Sequence, residues 1–220
     1  MNSSYDKNIA KRKQFNLPSY TISEEIMNAI THGLGVIFSV IAIILLLIKY
    51  SHNFENILCI SVYSVTLLIL YAVSTLYHSL LAGKAKAIFR KLDHCSIFML
   101  IAGTYTPLCI LYIKEFIALI VLAGVWIAAI VGIVLNAIDV NKFSKFSLAC
   151  YLIMGWSTLL IAKPMMRNLT VHQLTLLFMG GFFYTAGAVL YVVGKKTRYI
   201  HSIWHLFVLA GSICHFMILY

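Results

Sequence analysis

Seven stretches of this 220-residue chain are apolar over about 20 residues each, the length a helix needs to cross the hydrocarbon of a bilayer. They run roughly over Ile30–Ile48, Asn56–His78, Asp93–Ile113, Phe116–Asn136, Phe146–Ala162, Leu174–Val193 and Tyr199–Leu219. An open sheet cannot span lipid, because its edge groups find no partner there. The runs also lack the alternation of a barrel strand. The expected fold is therefore an all-α membrane protein, a seven-transmembrane-helix bundle. Short connections make it one bundle, with residues 1–25 as a polar basic N-terminal segment and residues 26–220 as the membrane domain. Composition agrees: 61% of residues are hydrophobic and 11% charged, against roughly 45–50% and 25% in soluble domains.

The net charge of +10 would suggest nucleic acid in a soluble protein. Here position decides. Lys7, Lys11, Arg12 and Lys13, then Lys84, Lys86, Arg90 and Lys91, then Lys142 and Lys145, then Lys195, Lys196 and Arg198 flank one set of span ends. The other set has Lys49, Lys114, Lys163 and Arg167. The positive-inside rule puts the richer set in the cytoplasm. The N-terminus is then cytoplasmic and the C-terminus extracytoplasmic, in the plasma membrane, with no nucleic-acid partner. The oligomeric state is left open.

Cys59, Cys95, Cys109, Cys150 and Cys214 lie in or beside apolar runs without CxxC spacing, which predicts buried free thiols. The polar start and the absence of an AxA-like site argue for a retained first span over a cleaved signal. Gly124, Ala128 and Gly132 repeat at four-residue spacing, and Gly180, Gly181 and Gly187 cluster in the sixth span. Both sets read as helix-packing positions.

Ionisable residues inside a span are costly and therefore informative. By these boundaries no Lys or Arg lies within a span, and Asp93 is the one acid that opens into one. The second span runs inward and ends at His78, with Ser74 one turn deeper. The third starts inside at Asp93. The seventh starts inside with His201 and His205. Three helices thus bring Ser74, His78, Asp93, His201 and His205 to one level. His201 and His205 are i and i+4, on one helix face. With His78 they make a three-histidine set that suits zinc with one open position. The HExxH reading fails, because Ser202 follows His201. Asp93 is then the candidate general base, and Ser74 a hydrogen-bonding group for a ligand, water or substrate oxygen. Cross-helix hydrogen bonding among the histidines explains the same pattern equally well.

Glu24-Glu25-Ile26-Met27-Asn28-Ala29-Ile30-Thr31-His32-Gly33, Ser74-Thr75-Leu76-Tyr77-His78, Lys91-Leu92-Asp93-His94 with Ala102-Gly103-Thr104-Tyr105-Thr106-Pro107, and His201-Ser202-Ile203-Trp204-His205-Leu206-Phe207 together resemble the hemolysin III family. That family falls within the progestin and adiponectin receptor superfamily. The resemblance runs from about Glu24 to Leu219. It implies seven helices, a cytoplasmic N-terminus and a zinc ion held by His78, His201 and His205. It further implies an acid at Asp93 and a serine at Ser74 beside the site. Glu25, Asn28 and His32 share one face of the first span's start, either as supports of the metal ligands or as a polar helix-start face. His94 and His215 fall outside the metal set, and Pro107 is expected to kink the third helix.

Three functions follow as expectations. The first is a zinc-dependent hydrolase acting on a lipid amide or ester, with membrane lipids as partners. The second is a non-enzymatic membrane sensor with structural zinc. The third is cytolysis, as the family name implies, for which a chain with no soluble phase and no charged pore lining gives little support.

Overall fold

The computed structural model describes residues 3–194 and 197–220, with side chains from residue 8 onward. Every regular element among them is helical. A short helix, α1 (Ser3–Gln14), precedes the bundle. The spans are α2 (Ile22–Tyr50), α3 (Phe54–Ser79), α4 (Lys84–Pro107) with its extension to Ile113, α5 (Phe116–Asp139), the fifth span from Ser144 to Asn168, α8 (Val171–Val193) and α9 (Ile200–Leu219). Seven helices among the described residues are thus long and apolar enough to cross a membrane. The fifth span is broken into α6 (Ser144–Trp156), a 3-10 stretch (Ser157–Ile161) and α7 (Ala162–Asn168). Large aliphatic and aromatic side chains face outward, among them Ile37, Ile127, Ile153 and Phe182, as lipid contact requires.

Helix starts differ from the apolar runs. Thr21 caps α2: its hydroxyl accepts from the Glu24 N–H, and the Glu24 carboxylate accepts from the Thr21 N–H. This reciprocal box satisfies two otherwise unpaired donors and starts the helix at Ile22, about two turns before the apolar run. Helix α4 likewise begins at Lys84, so Asp93 lies about 14 Å along it and not at its mouth. Lys86 and Glu25 therefore lie inside span helices, and both are buried. This corrects the expectation that Asp93 is the only such acid and that no Lys lies within a span. Hydropathy misses them because each is neutralised by the other.

Pro107 ends the α-helical part of α4. Its ring has no N–H to give the preceding turn, and the backbone widens into a π-helical stretch, Leu108–Ile113. Lys114 closes it with φ 56°. The packing role expected of the glycines holds at Gly132, where a Cβ would come 2.2 Å from the Phe98 ring. It holds at Gly180 against His215 and at Gly187 against Phe207 and Trp204. At Gly124 a Cβ would meet nothing within 4 Å, so that position packs no other part of the chain.

One end of the bundle gathers the basic residues. Arg90 donates to the Asn16 carbonyl and to Asn141, Lys91 to the Ala137 and Ile138 carbonyls, and Arg198 to Ser23. Lys49 donates to the Leu219 carbonyl at the opposite end. Of the richer basic set, Lys195, Lys196 and the Lys7 side chain lie outside the described residues. All five cysteines are free, four of them buried.

Candidate metal centre

Two helices supply the histidines. His78 lies in the last turn of α3, and His201 and His205 lie on one face of α9, near its start. One ligand nitrogen from each falls within 4.8 Å of the other two. All three are buried, at 2%, 8% and 0% exposure, so their polar atoms need partners.

Helix α2 orients two of these rings. The Glu25 carboxylate accepts from His78 Nδ1 at 2.7 Å. His205 Nδ1 faces the Asn28 carbonyl at 3.2 Å and the Thr31 hydroxyl at 3.1 Å. Proton on Nδ1 in each ring leaves Nε2 with its lone pair free. His78 Nε2, His205 Nε2 and both nitrogens of His201 have no hydrogen-bond partner among the described residues. Orphaned, converging lone pairs on buried imidazoles are the donor set a zinc ion takes, so the residues present fit that ion. Thr31, in turn, anchors its hydroxyl on the Met27 and Asn28 carbonyls.

Glu25 is itself held from three sides. Besides His78, it pairs with Arg12 of α1 at 2.9 Å and with Lys86 of α4 at 3.0 Å. The Lys86 ammonium also donates to the carbonyls of Tyr77 and Leu80 at the end of α3. Removing one partner from so dry a network leaves a buried charge uncompensated, at about 3–5 kcal/mol. The segment after α1 completes the cover. Tyr20 sets its ring 5.1 Å from that of His201 and 5.9 Å from that of His78. Burial holds the Tyr20 phenol well above its ordinary range, so it covers the histidines as a neutral ring.

Asp93 and Ser74, the residues expected beside the metal, are both buried. Asp93 has His78 and Ser74 among its nearest electrostatic partners. The Ser74 hydroxyl lies buried beside the Asp93 carboxyl group. The structure therefore brings together all five residues that depth alone placed at one level. Glu25 and Asn28 fall on the supporting side of the choice left open between ring support and a mere helix-start face. Arg12, Tyr20, Thr31 and Lys86 had no signal strong enough to mark them. The spacing Glu25, Asn28 and His32 was the trace that could have led there.

Asp93 also borders a cavity of about 410 Å³ between α4, the fifth span, α8 and α9. Its walls are mainly apolar, with Leu100, Leu152 and Phe178 among them. His32, His94 and His215 border it as well. His94 and His215 stand apart from the three-histidine set, as expected.

Comparison with known proteins agrees with this architecture. The family model of Haemolysin-III related proteins matches residues 20–216. Hemolysin-3 of Bacillus cereus is 42% identical over 193 residues, covering 87% of this chain and 88% of that protein. The Hemolysin-3 homolog of Bacillus subtilis (strain 168) is 40% identical, over 90% of this chain and 93% of its own. The human monocyte to macrophage differentiation factor is 26% identical over 89% of this chain and 83% of its own, a likeness that fits the wider superfamily. With its seven apolar spans, the chain is a multi-pass integral membrane protein of the bacterial plasma membrane. It belongs to the haemolysin-III related family.

Proposed function

We propose that this protein is a zinc-dependent hydrolase acting on a lipid amide or ester, with the scissile carbonyl at the inner end of the apolar cavity. The observation that carries this reading is the buried set of unpartnered imidazole nitrogens on His78, His201 and His205, within 4.8 Å of one another and beside an acid that borders that cavity. When bound, zinc supplies Lewis-acid polarisation of a carbonyl and lowers the pKa of water toward 7. His78, His201 and His205 hold the ion. Asp93 orients the attacking water and takes its proton. Ser74 donates its hydroxyl hydrogen to the oxygen on which negative charge develops. Asp93 then returns the proton to the departing amine or alcohol as the acyl C–N or C–O bond breaks. Water is consumed, and the carboxylic acid and the amine or alcohol are released.

The basic end of the bundle, which holds the metal site, faces the cytoplasm in this reading, with the C-terminus outside. Cysteine-accessibility labelling at Asn8 and at Tyr220 in intact cells tests that orientation. Activity is tested on purified, zinc-loaded protein against a panel of lipid amides and esters. Turnover of at least one, lost in Asp93→Asn with zinc retained, is the expected result. A panel left wholly untouched contradicts it.

The depth of burial also favours a second reading, in which zinc only ties α3 to α9 in a membrane sensor. Asp93→Asn then has little effect on any phenotype. The name of the Bacillus relatives suggests lysis of erythrocytes. Purified protein free of detergent that releases haemoglobin at low dose would establish it for this chain.

A further inference from the structure

His32 is a polar group of the cavity that neither the metal site nor its supports use through a hydrogen bond. It lies on α2 and is 2% exposed. Both ring nitrogens are buried without a hydrogen-bond partner. Its ring is fixed by neighbours that offer it no hydrogen bond: it stacks on His205, with ring centres 3.5 Å apart at 16°, and meets Tyr71 edge-on at 5.1 Å. Tyr71 is in turn committed, its hydroxyl donating to Ser212. An imidazole left so costs about 1–3 kcal/mol for each unsatisfied group, which a close-packed core has no reason to keep. A partner entering from the cavity that His32 borders removes that cost.

What can enter is set by the walls. They are apolar along most of the cavity, and the polar side chains among them include Asp93, His94 and His32, with Ser144, Lys145, Tyr151 and Tyr191 also on the wall. A chain with one polar end fits such a space with that end among these polar groups, and of them His32 is a buried one whose ring nitrogens lack a partner among the described residues. Asp93 carries the acid function, and His94 lies one residue from it on α4. His32 borders the cavity from a separate helix, α2. We propose that His32 is a substrate-binding residue that hydrogen-bonds the carboxyl, ester or amide group at the head of an acyl chain held in this cavity. The inference rests on the cavity's taking an acyl chain, as in the hydrolase reading, but needs neither zinc nor turnover. It places His32 against the acyl head, in contact with His205 only through stacked rings.

Binding can be read without catalysis. Trp156 and Trp204 both border the cavity, whereas Trp126 bonds Thr106 between α5 and α4. In a Trp126→Phe background in lipid nanodiscs, the saturable quenching of the other two tryptophans by 9,10-dibromostearic acid reports occupancy. 1-Bromooctadecane, which has no polar head, is the control ligand. His32→Phe should keep the stack on His205 and the zinc content, yet weaken dibromostearate binding about tenfold, leaving the headless control unchanged. His32→Gln should recover part of the loss. Dibromostearate binding equal to wild type in His32→Phe overturns the proposal, as does an equal loss for both ligands. Absence of saturable quenching in wild type overturns it together with the chain-binding cavity. His78→Ala separates the two readings: it should abolish zinc and turnover but leave dibromostearate binding in place. Binding that depends on His32 without turnover of any lipid would sink the hydrolase reading and spare this one.

Discussion

Two regions of the bundle are built on opposite plans. At the basic end, α2, α3, α4 and α9 enclose a dense polar cluster in which Glu25 alone meets His78, Arg12 and Lys86. Further along, α4, the fifth span, α8 and α9 leave an apolar space of about 410 Å³. The first region is organised by the chain itself: the His78 and His205 rings are oriented through Nδ1, while their Nε2 atoms and both nitrogens of His201 are left bare among the described residues. The second is left unfilled by the chain itself, and its broken fifth span supplies one wall. Asp93 belongs to both, which is why the proposed reaction sets it between ion and carbonyl.

This contrast can be broken residue by residue. The largest effect is expected where the regions meet: Asp93→Asn should keep zinc, measured by elemental analysis, and lower hydrolysis about 10²–10⁴-fold. Loss of zinc with loss of activity would make Asp93 part of the metal-holding cluster alone. Next comes Glu25→Ala, which strands Arg12 and Lys86 and removes the partner of His78. A loss of about 3–5 kcal/mol in denaturant unfolding is expected, with zinc affinity down about 10–100-fold. Unchanged stability would mean that the cluster is more hydrated than its burial indicates. Smaller still is Gly35→Ala, whose Cβ would fall 2.2 Å from the Tyr71 ring. It should destabilise by about 1–3 kcal/mol. Gly124→Ala, open to 4 Å, should stay within about 0.5 kcal/mol of wild type. In the apolar region, Gly181→Leu narrows the cavity beside Trp156. It should shorten the acyl chains accepted while leaving zinc content alone.

Sequence reading reached the first region better than the second. Seven spans were legible because lipid demands long apolar runs, and the three histidines because depth and i, i+4 spacing leave few arrangements. Asp93 and Ser74 followed from the same depth argument. Lys86 escaped, and Glu25 was left between a supporting role and a helix-start face, because hydropathy treats each charge singly, whereas burial became tolerable only as a pair between helices far apart in sequence. Tyr20 and Arg12 escaped for a different reason. A polar segment ahead of the first apolar run looks solvated, and nothing local reveals that it folds back over His201. The cavity has no sequence signal, since its lining residues are ordinary span residues until the fifth span breaks at Trp156.

The account stands on the three-histidine site. Its most direct test is elemental analysis of purified wild type beside the His201→Ala, His205→Ala double variant, with a folded state checked by circular dichroism. About one zinc per wild-type chain and essentially none in the double variant is the predicted result. Equal zinc in the two proteins, or none in either after purification with zinc present, would contradict it.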